Sequence, residues 1–371
     1  MLSYLTLLYY NKHTSVVEYS VHRKNRSDTM IKINMLSTAD SVKGQGVGAA
    51  YNELIDMLRK HFPDELQIMI NNHGHSDITH FHTIDPRFFI QAYNTQRRGV
   101  KIGYVHFLPD TLEGSIKVPK IFTGLLYKYV LSFYNKMDEL VVVNPSFIDA
   151  LVAYGLDREK ITYIPNFVSK ESFYPETDQE KSEFRQSLEI DSNALVVLGV
   201  GQIQKRKGID DFVQLAIDNP HIQFVWAGGF SFGQITDGYE KYKKIYDNPP
   251  ANLVFVGMID RQEMNRYYNL ADIFLLPSYN ELFPMAILEA FSCGTAVMLR
   301  DLDLYHAIIM DYYIPTDDRH QMNEQLNRIY HDRSLLSHYK SQSLKASEQY
   351  SEDAVAKIWY DYYTNLVQNH Q

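Results

Sequence analysis

The chain has a single cysteine, Cys293, among 371 residues. No internal disulfide can form, and a reducing, cytosolic home is the reading that follows. Long apolar runs are also missing. No stretch approaches the ~20 apolar residues that a membrane span needs. Basic charge is in deficit, because 36 Lys and Arg against 45 Asp and Glu leave −9. That balance is the reverse of what wraps nucleic acid, so no nucleic-acid partner is expected. Low-complexity tracts and repeats with periods of 20–50 residues are absent, which excludes solenoids and arrays. What is present is an ordinary globular composition, 45% apolar and 22% charged, which excludes disorder as the main state. At roughly 150 residues per domain, the length suggests two domains.

Residues 1–29 differ from the rest. The apolar run from Leu2 to Tyr10 is broken by Ser3 and Thr6, has no preceding basic residue and is followed by no small-residue cleavage site. It makes a poor signal peptide. A second start at Met30 opens a strand-like run, Ile31 to Leu36, so residues 1–29 read as an extension from a start codon placed too early. From there, short apolar runs alternate with helical stretches: Gln67 to Ile70, Ile78 to Phe81, Ile102 to Phe107, Leu140 to Val143 and Ile161 to Ile164. The helical stretches are Val47 to His61, Phe88 to Asn94, Pro119 to Lys136 and Pro145 to Tyr154. Ser169 to Asp191 breaks the rhythm and reads as a connection with one helical piece. The alternation then restarts with runs at Leu195 to Gly199, Gln223 to Ala227, Leu253 to Val256, Ile273 to Leu276 and Ala296 to Leu299. This pattern predicts two doubly wound α/β units with parallel sheets, whose ligands bind outside the carboxyl ends of the strands.

Three stretches carry chemistry. Gly44-Gln45-Gly46-Val47-Gly48-Ala49 matches a dinucleotide fingerprint formally, but seven residues separate it from the strand and no acid follows at the next strand end. It is either a flexible loop or a close approach of backbone to a ligand at a helix N-terminus. Gly199-Val200-Gly201-Gln202 ends a strand, and Lys205-Arg206-Lys207-Gly208 follows, placing three cations where a diphosphate could sit. A solvated basic turn is the plain alternative. The sharpest constellation is Ser278 to Ala290, in which Glu281 and Glu289 flank a helix start marked by Pro284. Free amides near residues 283–286 would face the cleft, and the two carboxylates could each accept hydrogen bonds from a polyol.

Glu-x7-Glu after the basic turn resembles the family 4 retaining glycosyltransferases of GT-B fold. The similarity runs from Met30 to about Val367 and includes Gly46-Val47, His106 in Gly103-Tyr104-Val105-His106-Phe107, Ile164-Pro165-Asn166-Phe167 and Phe255-Val256-Gly257. Within the family, the chain resembles Gram-positive enzymes that add a second hexose to glucosyl-diacylglycerol. The resemblance implies two Rossmann-like domains facing across a cleft. An acceptor-side domain would span 30–170 and a nucleotide-sugar domain 171–350, with a C-terminal helix in 351–371 packing back on the first. It implies a UDP-sugar donor, galactose or glucose, and a product that anchors lipoteichoic acid. It implies roles too. Glu281 would bind donor-sugar hydroxyls and Glu289 the ribose. Arg206 and Lys207 would neutralise the diphosphate, Gly46 would approach it, and His106 would contact the sugar. Gln202, Met258, Ile259, Phe283, Pro284 and Met285 complete the donor site, with backbone at Met258 and Ile259 holding the base. Rival readings are transfer to another envelope glycan, a nucleotide-sugar epimerase, or a non-catalytic binding subunit.

The chain departs from the family pattern in three places. Gln202 stands where the family has Arg, Leu282 where it has Gly, and Asp301-Leu302-Asp303 where it has Gly-Gly. Asp301 and Asp303 could chelate a hard cation, but the basic turn already supplies the positive charge, so no metal is expected. His73, His75, His80 and His82 crowd one region. A structural role is favoured over zinc, which is rarely held by neighbours on one strand. Ser115 to Met137 carries Lys117, Lys120, Lys128 and Lys136 with no acid, interleaved with Phe122, Leu125, Leu126, Tyr127, Tyr129, Phe133 and Tyr134. Either its apolar face is core, or the helix lies on an anionic membrane, which would make the protein peripheral to the inner face.

Overall fold

The computed structural model describes residues 30–38, 46–93, 95–106, 108, 120–230, 233 and 238–370. The proposed extension 1–29, Gly44 and Gln45 of the glycine motif, and Lys117 lie outside the described residues.

The first half runs β1 (Ile31–Leu36), α1 (Gly46–His61), β2 (Leu66–Ile70), β3 (Ile78–Phe81), α2 (Pro86–Gln91), α3 (Thr95–Arg98), β4 (Val100–Val105), α4 (Lys120–Asn135), β5 (Glu139–Val142), α5 (Ser146–Ala153) and β6 (Ile161–Tyr163). The second runs α6 (Asp178–Ser187), β7 (Val196–Val200), α7 (Ile209–Asp218), β8 (Gln223–Ala227), α8 (Tyr239–Asp247), β9 (Leu253–Gly257), α9 (Met264–Leu270), β10 (Ile273–Leu276), α10 (Met285–Ser292), β11 (Ala296–Arg300), α11 (Asp303–His306), β12 (Ile314–Thr316), α12 (Arg319–His331), α13 (Leu335–Gln349) and α14 (Glu352–Asn369).

The strands form two six-stranded parallel sheets, ordered β2-β1-β3-β4-β5-β6 and β12-β11-β10-β7-β8-β9. Helices cover both faces, so the inner strands are largely apolar; β10, Ile-Phe-Leu-Leu, is buried at every position. In the second sheet the strand order reverses between β7 and β10. In the first it reverses between β1 and β3. Ligand crevices open at such switch points, and the basic turn follows β7 while the Glu281 segment follows β10.

The structure differs from the sequence reading in detail. The helix expected from Phe88 starts at Pro86, because the Asp85 side chain caps it by accepting from the Arg87 amide at 2.8 Å. The short edge strand β12 has too little pattern to be read. The 169–191 connection is docked rather than loose: Thr177 and Glu180 form a capping box that starts α6. Arg185 then ties α6 to the Leu270 carbonyl. The last helix, α14, lies against the first half. Trp359 packs 5.4 Å from the His80 ring, Tyr360 stacks on Phe62, and His61 meets Glu352 at 2.8 Å.

Candidate active site

At the β7/β10 crevice, Lys205–Lys207 form one 3-10 turn closed by Gly208, whose φ is 70°. A Cβ at Gly208 would meet the Pro277 carbonyl at 2.2 Å, so only glycine lets this turn reach the end of β10. The contact is used at once. Lys207 Nζ lies 2.5 Å from Glu281 Oε1, with the two side chains 13% and 6% exposed. Arg206 Nη1 donates to the Asn280 carbonyl at 2.7 Å and stands 3.6 Å from Glu281 Oε2. Burial alone would raise the Glu281 carboxyl, but Lys207 and then Arg206 hold it below the usual carboxylate range. Burial lowers Lys207, and the charge of Glu281 opposes that shift. The crevice thus holds two cations around one ionised carboxylate. Gln202 accepts from the Gln204 side chain at 2.6 Å and makes no ion pair, as its chemistry requires.

Pro284 is the cap residue of α10 rather than part of its first turn, and no side chain caps this helix start. The amides of Met285 and Ala286 are therefore left for a ligand. Phe283 and Met285 are 3% and 5% exposed and belong to the core, with the Phe283 ring 5.4 Å from Tyr350. What these two positions can offer a ligand is backbone.

Glu289, 5% exposed, is held at both oxygens. Arg261 Nη1 donates to Oε1 at 2.5 Å, and the Tyr268 hydroxyl donates to Oε2 at 2.6 Å. The other arm of Arg261 reaches Glu53 Oε1 on α1 at 2.6 Å. Glu53 is raised by burial against the pull of Arg261. Arg261, Tyr268 and Glu53 escaped the sequence reading. Arg261 follows Met258 and Ile259 closely, and that adjacency was the one available signal. Met258 is 60% exposed, so this loop is open to a planar ligand.

His106 follows directly on β4, 6% exposed, with its ring 4.3 Å from Tyr104 and 5.9 Å from His82. Burial pushes its pKa down to about 3, so the imidazole is neutral. His80 and His82 are lowered by burial too, and their rings lie 4.1 Å apart. His80 Nδ1 pairs with the Tyr363 hydroxyl at 2.9 Å. His73 and His75 are exposed, so the four histidines do not gather. Among the described residues no group of three or more His, Cys, Asp or Glu is placed to hold a metal. Asp301 Oδ1 accepts from His306 at 2.9 Å and from Tyr313 at 2.5 Å, while Asp303 opens α11.

Comparisons with known proteins agree with this architecture. A profile described as Glycosyltransferase Family 4 matches residues 49–172, and one described as Glycosyl transferases group 1 matches 180–346. An alpha-galactosylglucosyldiacylglycerol synthase of Streptococcus pneumoniae is 49% identical over 98% of this chain and 95% of its own length. The chain is a family 4 glycosyltransferase of GT-B fold. A processive diacylglycerol alpha-glucosyltransferase of Acholeplasma laidlawii is 24% identical over 57% of this chain and 64% of its own. Among solved structures, Anabaena HepE in complex with UDP-glucose superposes with a TM-score of 0.73, at 15% identity, over 91% of this chain and 100% of that one.

In this glycosyltransferase, Gly46 begins α1 at the carboxyl end of β1. The α4 stripe divides. Phe133 and Tyr134 are core, at 1% and 2% exposed. Leu125 is 67% exposed and Lys128 is exposed, while the side chains of Lys120 and Phe122 lie outside the described residues. Helix α2 packs beside α4 through Phe89 on Tyr129 and Phe133, and presents Ile90 and, just beyond its end, Tyr93, at 72% and 58% exposed. No helix among the described residues is long and apolar enough to cross a membrane.

Proposed function

We propose that this glycosyltransferase transfers a hexose, with retention, from a UDP-sugar to glucosyl-diacylglycerol, and that galactose is the hexose. The kinship over nearly the whole length with a protein named for an alpha-galactosylglucosyldiacylglycerol product carries the reading. The Lys207–Glu281 and Arg261–Glu289 pairs supply a site suited to it. Glu289 accepts ribose hydroxyls on lone pairs its protein donors leave free, since each carboxylate oxygen has two. Backbone at Met258 and Ile259 holds the base, and the start of α1 at Gly46 approaches the diphosphate. Arg206 and Lys207 stabilise the charge that gathers on the departing UDP, without a metal. Glu281 accepts hydroxyls of the sugar, and neutral His106 can give or take a hydrogen bond beside the reacting carbon.

The bond from the anomeric carbon to the UDP oxygen breaks, and a bond to the acceptor oxygen forms on the same face. The acceptor proton passes to the leaving phosphate oxygen, so no protein nucleophile is needed. The acceptor is a lipid, so the enzyme works at the inner face of the membrane, with the α2 and α4 surface against it. The diglycosyl lipid then serves as an anchor for lipoteichoic acid. The test incubates the full chain with glucosyl-diacylglycerol and UDP-galactose or UDP-glucose, and reads the product by mass spectrometry and anomeric NMR. An α-linked diglycosyl lipid is expected with UDP-galactose. Interconversion of the nucleotide sugars without acceptor would make the protein an epimerase.

A further inference from the structure

The segment that carries Glu281 has no secondary structure, so its buried carbonyls must find donors elsewhere. Arg206, from the same half of the chain, takes the Asn280 carbonyl. The next carbonyls are taken by the other half. Asn144 lies just past the end of β5 and is fully buried, at 0% exposed. Its Oδ1 accepts from the amide and hydroxyl of Ser146 at 3.0 and 2.8 Å, at the start of α5. Its Nδ2 points across the interface, donating to the Leu304 carbonyl at 2.9 Å and to the Leu282 carbonyl at 3.4 Å. Asn166, 7% exposed, repeats the arrangement one strand on. Its Nδ2 donates to the Phe283 carbonyl at 3.2 Å, and its Oδ1 accepts from the Tyr104 hydroxyl at 3.3 Å. Tyr104 is the residue whose ring packs on His106. An amide suits both positions because it donates on one side and accepts on the other.

We propose that Asn144 and Asn166 are positioning residues for hexose transfer. They fix the Glu281 carboxylate toward the sugar only while the two halves of the chain are docked, and Asn166 joins that segment to the His106 side of the cleft through Tyr104. The proposal rests on the reading of Glu281 as a ligand of the transferred sugar. Its claim is on the sugar end of the site: the proposed ribose ligand Glu289 keeps Arg261 and Tyr268 as partners, and neither asparagine touches them.

The test uses Asn144→Ser and Asn166→Ser in the full chain. Serine at 144 can still accept from the Ser146 amide, as Ser and Asn both bond nearby backbone, but it is too short to span the interface. Misplacement near 1 Å can cost about a hundredfold, so kcat is expected to fall roughly tenfold or more in each variant, with the UDP dissociation constant by calorimetry within about twofold of the parent. The double variant should lose less than the product of the two, because one segment is being held. Where Asn144→Ser does not fold, Asn166→Ser carries the test. Parental kcat in the folded variants, or UDP affinity falling in step with kcat, overturns the proposal. Glu281→Gln in the same assay separates the two claims. Full turnover there removes the sugar-ligand reading and this proposal with it, whereas lost turnover beside parental kcat in the asparagine variants removes the positioning role alone.

Discussion

Glu53 and Glu289 stand on opposite halves of the chain and share one guanidinium, that of Arg261. The sharing orients the Glu289 carboxylate and joins α1 to α10 through a single side chain.

The proposed ribose site should therefore fail in graded steps. Glu289→Ala removes the acceptor itself, and hydrogen bonds to a charged group contribute about 1.5–3 kcal/mol. UDP affinity should drop on the order of tenfold or more by calorimetry. Arg261→Met should approach that loss, because it frees Glu289 to turn and leaves Glu53 buried without its cation. Tyr268→Phe should cost less, and Glu53→Gln least. Equal UDP affinity in the parent and Glu289→Ala would remove the ribose assignment.

Lys207 and Glu281 couple stability to activity. Removing one member of a buried pair costs roughly 3–5 kcal/mol, because the other charge is left without compensation. Lys207→Ala should lower both the urea midpoint and turnover, and by far more than Gln202→Ala, which removes no ion pair. Turnover should survive a chelator. Complete loss in EDTA with recovery on manganese would bring Asp301 and Asp303 forward as ligands.

Three buried imidazoles predict sensitivity to mild acid. His80, His82 and His106 are depressed in the folded state by burial, the last to about 3 from an ordinary 6.5. A depressed pKa gives stability that is complete above the unfolded value near 6.5 and is lost as pH falls toward the folded one. In that window the unfolded chain binds the extra protons, and each histidine contributes a slope of about 1.4 kcal/mol per pH unit. Urea unfolding at pH 7.5, 6 and 5 should show the decline, and His82→Leu should flatten it. An unchanged slope in His82→Leu would mean that other groups drive it.

The proposed lipid surface has two sets of reporters. Near an anionic membrane each lysine contributes about 1 kcal/mol, so replacing Lys117, Lys120 and Lys128 by Glu should abolish sedimentation with anionic vesicles. Ile90→Glu with Leu125→Glu should do the same through the apolar contact. Activity on a short-chain acceptor in detergent should persist in both. Unchanged vesicle binding with a normal circular dichroism spectrum would place the membrane contact elsewhere.

Much of the fold was legible because strands buried on both faces are largely apolar. Ile273 to Leu276, Gln223 to Ala227 and Ile78 to Phe81 stand in the structure with the bounds their runs suggested. The Lys205–Lys207 turn and the Glu281–Glu289 segment were legible because each adjoins such a strand, and local spacing carries them. Other features were open only to the folded chain. Arg261 meets Glu53 across 208 positions, and Asn144 meets Leu304 across 160; partners so distant leave no period or motif behind. Phe283 and Met285 turn into the core because the start of α10 is set by packing, which the residue types alone do not reveal. The division of α4 between core and surface was likewise undecided in the sequence. An amphipathic stripe has one pattern whether its apolar face meets a sheet or a lipid, and only the position of the first sheet placed Phe133 inside and left Leu125 in the open.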